Sequence, residues 1–385
     1  MLTKITMNNF KSFKNQTTVD LTKTNYTVLP KNVSENGVLK GCMFVGANAS
    51  GKSNIILSVK LLLDLLFSER SINSGMFKCM FGTGYSYSLV YDFLIDTKKV
   101  KYAIEVDTRK VGITEKLYVE DQLLLDRIGV SAKSYIAEKA GNFYDESDVG
   151  KDTLLYFNTK FASNKILVKW MDYLKNSVYI NMFDQVIQSY GKTDLSLAQY
   201  LDRDGCNEIN DFFTEYNFEQ KVEYAHSAEG TNYRIIAGDD EKEKSIFFRR
   251  KDVDVPIPFV EESMGNQNLL RLLPAFLYVL KKGGMLLIDE FSSGFHNQLE
   301  SLMVRYFMQK SKNAQMIFVS HSTNLLSNSI LRPDQEYTVE FHGNEGSSIH
   351  RISSDQPRSA QNVEKMYVSG VFGGIPLYHE VADEN

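Results

Sequence analysis

Residues 46–53 read Gly46-Ala47-Asn48-Ala49-Ser50-Gly51-Lys52-Ser53, the spacing G-x-x-x-x-G-K-S. That spacing suits phosphate binding. Its glycines let the backbone turn N–H groups inward around phosphate oxygens, and a helix that starts there adds a partial positive charge. Lys52 supplies a point charge to β and γ phosphates, and the Ser53 hydroxyl is placed to ligate Mg²⁺. Gly46, Asn48, Ser50, Gly51, Lys52 and Ser53 are therefore the candidate phosphate-binding residues. The second half of such a site is a strand ending in a carboxylate, which Met285-Leu286-Leu287-Ile288-Asp289-Glu290 supplies. Asp289 is expected to hold the Mg²⁺ shell, and Glu290 to orient or deprotonate an attacking water. His321, after Ile317-Phe318-Val319-Ser320, is expected to reach the γ-phosphate as a donor; a capping or core role is its alternative.

These side chains need strands and helices to carry them. The run from Val38 to Val45 reads as a buried strand, and SNIILSVKLLLDLLFSE after Lys52 as a buried helix. Leu2, Ile5 and Met7, then Thr18, Val19 and Leu21, alternate as short strands. From Tyr85 to about Arg127, long alternating runs predict an antiparallel sheet. The stretch from Val130 to Phe218 leans helical, with Leu154–Leu174 and Leu195–Tyr216 as its best helices, and Trp170 reads as core there. Short strands follow at Lys221–Tyr224, Tyr233–Ile236 and Ser245–Arg249. Helix Asn266–Leu280, strand Met285–Ile288, helix His296–Gln309 and strand Gln315–Val319 then alternate, which argues for a parallel sheet with crossover helices. Strands near Tyr337–Phe341 and Ile349–Ile352 end the chain. Lys52 and Asp289 lie so far apart in sequence that something large is inserted between the two halves of the site.

Composition limits the alternatives. The 385 residues are 43% hydrophobic and 24% charged, ordinary for a soluble globular protein. Aromatic content of 12% excludes disorder for most of the chain. A net charge of −5 gives no global attraction to nucleic acid, so a DNA contact needs a local basic patch. The cluster Phe248-Arg249-Arg250-Lys251 is flanked by Asp239, Asp240, Glu241, Glu243 and Asp252 and reads as a solvated hairpin. Three cysteines (Cys42, Cys79, Cys206) are too few for a disulfide framework or a zinc cage, and fit a reducing cytosol. No run approaches the length of a membrane span, and the N-terminus lacks the apolar core of a signal peptide. A cytoplasmic protein without a membrane partner is expected.

The phosphate loop, the Asp-Glu strand and the strand-end His, in this order, resemble the ABC-type ATPase heads of the SMC, RecF and OLD proteins. In such heads a signature loop precedes the Asp-Glu strand, and Glu262-Ser263-Met264-Gly265-Asn266-Gln267 stands there. It departs from the common LSGGQ but keeps Ser263 and Gly265, which by resemblance contact the γ-phosphate held by a second subunit. An ordinary helix N-cap is the other reading of Ser263. Asn9-Phe10-Lys11-Ser12-Phe13 is similar to the N-terminal turn of these heads, where the basic residue, here Lys11, approaches the nucleotide. A surface turn lysine is its alternative. Lys365-Met366-Tyr367 and Gly370-Val371-Phe372-Gly373-Gly374-Ile375-Pro376 resemble the ending of stand-alone AAA/ABC-type ATPases of abortive-infection and other phage-defence operons. The arrangement Asp289-Glu290…His296 is similar to theirs, with His296 at a helix start.

The resemblance implies an α/β fold: an ABC-type head with a parallel sheet core and an antiparallel β-subdomain, plus a mixed, mainly helical insertion. It divides the chain into residues 1–130, an insertion at 131–220 and a C-terminal lobe at 221–385. It implies ATP and Mg²⁺ as cofactors, hydrolysis of ATP, and a homodimer or larger even-numbered homo-oligomer. Too few residues follow His321 for the metal-dependent Toprim domain of OLD nucleases, and the histidines are dispersed. Any toxic effector, such as a nuclease, is thus expected to be a separate protein. The implied function is an ATP-switched regulatory subunit of a phage-defence system. A RecF-like DNA-repair ATPase acting at DNA junctions is the main rival. A transporter ATPase subunit, or a chain that keeps ATP as a structural ligand, are others. Neither Gln122 nor Gln185 suits the glutamine loop that senses nucleotide in such heads, so that role is left unassigned.

Overall fold

A computed structural model describes residues 1–68, 74–109, 112–134, 142–143, 164–226, 244–293 and 295–375. The first strands, β1 (Leu2–Asn8) and β2 (Thr17–Asp20), form a hairpin. Strand β3 (Gly41–Gly46), buried along its whole length, leads into the phosphate loop and then helix α1 (Lys52–Phe67). Next come β4 (Ser86–Ile95), β5 (Lys98–Asp107), β6 (Gly112–Val119), β7 (Gln122–Ile128), β8 (Ser131–Ser134) and β9 (Asn142–Phe143). They extend the first hairpin into an antiparallel sheet of order β2-β1-β4-β5-β6-β7-β8-β9. Burial in β4 alternates without exception, so one face is core and the other meets solvent.

Helix α2 (Lys165–Lys175) leads to the hairpin β10 (Val178–Asn181) and β11 (Val186–Ser189). Helices α3 (Leu197–Asp204) and α4 (Asn207–Glu215) and strands β12 (Gln220–Ala225), β13 (Ser245–Arg250) and β14 (Ile257–Pro258) follow. Then come α5 (Met264–Lys282), β15 (Gly284–Asp289), α6 (Asn297–Lys310), β16 (Ala314–Val319), β17 (Glu336–Phe341), β18 (Ser347–Arg351) and α7 (Val363–Val368). The central sheet has the order β11-β10-β15-β16-β3-β17-β18. The strands from β10 to β17 are parallel, and β11 and β18 are antiparallel edges. The expected α/β class, a parallel core beside an antiparallel sheet, is what the chain forms.

Helix α1 explains how the two sheets join. Its leucines and isoleucines fall on every side, so no face can meet water, and most of its side chains are buried. It lies between the antiparallel sheet and one face of the central sheet. The period of the strands does the rest: Met285 and Leu287 of β15 face α1, while Leu286 and Ile288 face the opposite core with α5 and α6. Each large buried side chain of this kind contributes about 1.5–3 kcal/mol.

Some sequence expectations need correction. The helix expected over Leu195–Tyr216 is two helices, because Gly205 ends α3 with φ of +71°. The run Val178–Asn181 was expected within a helix-leaning stretch, yet it pairs in parallel with β15 in the central sheet. Its β-branched residues suit a buried strand, and tertiary pairing decides the conformation of so short a run. The strand expected at Tyr233–Ile236, and the N-terminal part of the helix expected from Leu154, lie outside the described residues. Trp170 is core as expected, with edge-on contacts to Phe93 and Tyr102.

Beneath Trp170 the antiparallel sheet buries a charge pair. Arg127 and Glu115 are fully buried 3.2 Å apart, and the Tyr102 hydroxyl donates to the same carboxylate. Removing one member takes a charged hydrogen-bond partner from a buried charge. Arg127→Met is expected to lower unfolding stability by about 3 kcal/mol or more, read from urea midpoints, and the joint Glu115→Leu, Arg127→Met variant to recover most of it. Equal midpoints for Arg127→Met and wild type would contradict this.

Candidate nucleotide-binding site

Four neighbouring parallel strands end on the same edge, the edge where α/β sheets bind ligands. Strand β3 delivers the phosphate loop, β15 delivers Asp289 and Glu290, β16 runs to His321, and β10 ends in Asn181, paired opposite Asp289. Together they line a cleft of about 850 Å³ with Asn48, Ser50, Gly51, Lys52, Ser53, Asn54, Phe183 and Ser293. The structure thus brings the phosphate loop, Asp289, Glu290 and His321 into one place.

The contacts inside the cleft are polar and close. Ser53 Oγ donates to Asp289 Oδ1 at 2.9 Å. Lys52 Nζ donates to the carbonyls of Gly46 and Ala47 at 3.0 and 2.7 Å. Burial lowers the Lys52 pKa, against the pull of Glu290 and Asp289. Burial raises that of Asp289, opposed by the bond from Ser53 and reinforced by the neighbouring Glu290. His321 Nε2 stands 3.6 Å from Glu290 Oε2. Ala49 and Glu290 hold φ near +60°, an unfavourable conformation for residues with a side chain, of the kind that collects at working sites.

Three features fit this cleft to a polyphosphate and Mg²⁺. Ser50 Oγ is buried with no hydrogen-bond partner. Gly51 ends the loop with φ of +109°, a backbone conformation that L side chains rarely adopt. Ser53 and Asp289 offer hydroxyl and carboxylate oxygens, the hard donors that Mg²⁺ prefers. Ser53 and Asp289 are therefore the residues able to hold the metal, and Lys52 with the loop those able to hold the phosphates.

The loop is braced from behind. Ser347 Oγ donates to the Ser50 carbonyl at 2.6 Å, the Ser347 N–H donates to the Ser12 carbonyl, and Asn54 donates to Ser12 Oγ. The C-terminal turn adds a second brace. Gly374 N–H donates to Glu340 at 2.7 Å, Thr338 Oγ1 donates to the Phe372 carbonyl, and the Tyr367 hydroxyl donates to the Gly374 carbonyl. A side chain on Gly374, at φ of +78°, would press on Thr338 at 3.2 Å and come into van der Waals contact with the Gly46 Cα at 3.6 Å. The glycine-rich ending thus seats against the start of the phosphate loop; its Pro376 lies outside the described residues.

Other expected site residues stand apart from this cleft. Lys11 is in the turn that touches Gly51 through Ser12, but its ammonium donates to the Met76 carbonyl and lies over the Phe77 ring. Ser263 caps α5, accepting from Asn266 N–H, with Gly265 in the first turn, and neither lines the cleft. Its neighbour Glu262 is fixed by Arg250 at 2.6 and 2.8 Å and accepts from the Ser263 N–H. His296 is the N-cap of α6. Gln122 lies on β7 and Gln185 outside the cleft. Sequence reasoning missed Asn181, Phe183 and Ser347. The signal for Asn181 was a polar residue ending a short apolar run, Val178-Tyr179-Ile180, but only the pairing with β15 shows where it points.

Gly374→Ala is expected to weaken binding of a non-hydrolysable ATP analogue by about tenfold. Gly370→Ala carries similar backbone strain with no neighbour within 4 Å, and is expected to leave affinity unchanged. Equal titrations of the two variants would separate the C-terminal turn from the site.

Residues 43–327 match a protein family described as "AAA domain, putative AbiEii toxin, Type IV TA system". No curated protein matches the chain. Among solved structures, the SMC head domain from Thermotoga maritima is similar with 16% identity and a TM-score of 0.48, covering 91% of this chain and 98% of that one. An SmcHead bound to the C-winged helix domain of ScpA has 13% identity and a TM-score of 0.49, covering 91% and 96%. An Smc head domain with an extended coiled coil, bound to the C-terminal domain of ScpA derived from Pyrococcus furiosus, has 12% identity and a TM-score of 0.45, covering 92% and 97%. No helix among the described residues is long and apolar enough to cross a membrane. The family match spans the phosphate loop, the Asp-Glu strand and His321, so the chain belongs to this AAA-domain family.

Proposed function

We propose that the chain binds ATP with Mg²⁺ and hydrolyses it to ADP and phosphate, as the regulatory subunit of a phage-defence system. The meeting of the phosphate loop, Asp289, Glu290 and His321 in one cleft carries this reading. The family's description, which names a toxin and a toxin–antitoxin system, supports the defence setting. Lys52 and the loop backbone hold the β and γ phosphates. Ser53 and Asp289 hold Mg²⁺, which when bound supplies positive charge against the phosphate oxygens. Glu290 takes the proton of the attacking water, and His321 beside it donates toward the γ-phosphate. Asn181, at the end of the strand next to Asp289, takes the nucleotide-sensing place for which no glutamine offers itself.

Ser263, with Gly265, serves the site of a second copy. Its position outside its own cleft, at the exposed start of α5, supports this. So do the apolar side chains on the two rims: Met264 and Val260 beside Ser263, and Phe183 at the cleft, are all more than half exposed. ATP then joins two copies, or an even-numbered ring, and hydrolysis releases them. The assembled state holds a separate effector, a nuclease being one candidate. The cationic cluster offers the DNA-repair alternative little, because Arg249 is paired with Glu223 and Arg250 with Glu262.

Glu290→Gln is the variant that tests this. With ATP and Mg²⁺ its mass is expected to at least double, and pull-down from cells carrying the native operon is expected to bring down a second protein. A mass that ATP leaves unchanged, with no partner recovered, overturns the switch.

A further inference from the structure

A second cavity, of about 590 Å³, lies between the β10–β11 hairpin, the start of α3 and the first half of α5. One part of its wall is apolar, formed by Ile180, Met182, Leu195 and Leu272 among others, and Asn181, Gln185, Ser189, Asp194 and Ser196 make the rest polar. Two of its polar groups, Asn268 and Arg271, are open to a ligand. Asn268 is only 7% exposed, and its carboxamide makes no hydrogen bond among the described residues. The amide opens on the cavity, so a ligand that bonds it takes the place of water there. Arg271 donates only to neutral oxygens, Gln185 Oε1 at 3.0 Å and Gln267 Oε1 at 3.4 Å, and lies over the Phe259 ring. Among the described residues no carboxylate pairs with it. Asp194, at the exposed mouth, already accepts from the Ser196 N–H, and water screens its charge.

We propose that this cavity is a binding site for a small organic anion with an apolar body. The body fills the apolar wall, the anionic head meets Arg271, and a polar edge meets Asn268. Asn181 lines both this cavity and the nucleotide cleft. Asn268 and Arg271 lie on the helix that begins at Ser263. An occupant therefore touches the strand end beside Asp289 and the helix that presents Ser263, and couples to nucleotide binding through both. The coupling rests on the function proposed above; the binding does not.

The probe is anilinonaphthalene sulfonate, an aromatic body with an anionic head, titrated by fluorescence without nucleotide. Wild type is expected to bind it saturably, with hydrogen exchange slowed in residues 180–187 and 266–272. Arg271→Gln is expected to weaken binding about tenfold through loss of a charge-assisted contact. Ala198→Trp, at the exposed mouth, is expected to abolish binding with an unchanged circular dichroism spectrum. The probe is expected to change ATP-analogue affinity about fivefold or more in wild type and not in Ala198→Trp. Absence of saturable binding, wild-type affinity in both variants, or protection at other residues overturns the site. Binding that follows Arg271 and Ala198 with no effect on the analogue leaves the site standing and overturns its coupling. If the analogue itself fails to bind, the nucleotide reading falls instead.

Discussion

One hydrogen bond, from Ser53 to Asp289, joins residues 236 positions apart, and the architecture serves to make that approach possible. Asp289 ends β15 and Ser53 opens α1 beyond the loop that follows β3, and these strands do not touch, because β16 lies between them. The register of β16 with both neighbours therefore sets their separation: Met316 pairs with Gly41 on one side and with Leu286 on the other. A slip of one residue would turn every side chain to the opposite face. The two hydrophobic clusters resist this, since each inner strand is buried on both faces.

Around that contact the protein accumulates features that cost stability. Lys52 and Asp289 are each more than nine-tenths buried, Ser50 Oγ is unbonded, and Ala49 and Glu290 sit in a conformation that glycine prefers. Such a group persists only where its surroundings over-determine it. Here they do: Ser12, Asn54 and Ser347 fix the loop from one side, and the turn at Gly374 from the other. The braces come from both ends of the chain, so a compact motif near residue 50 depends on residues as distant as Glu340 and Gly374.

Much of this was legible in the sequence. The phosphate loop reveals itself because its chemistry needs small residues, a lysine and a hydroxyl at fixed spacing between a strand and a helix. The Asp289 strand and the His321 strand are apolar runs, and the helix that precedes each follows from its 3.6-residue period. Asn181 was not legible, because Val178–Asn181 is too short for a period to declare itself and its conformation comes from pairing with β15. Ser347 was hidden for a related reason: its importance lies in two hydrogen bonds to loops that begin far away in the chain. The glycine-rich ending could be read as a resemblance, but its physical role is the close approach of Gly374 to Gly46.

The proposed function turns on one step, the splitting of the terminal phosphate of ATP in this cleft with Glu290 handling the water. The most direct measurement is release of labelled γ-phosphate by wild type, Glu290→Gln and Lys52→Ala, each alongside bound nucleotide recovered by filtration. Wild type alone is expected to release phosphate, Glu290→Gln to retain intact ATP, and Lys52→Ala to hold little nucleotide. Phosphate release by Glu290→Gln at the wild-type rate, or full nucleotide retention by Lys52→Ala, would contradict it.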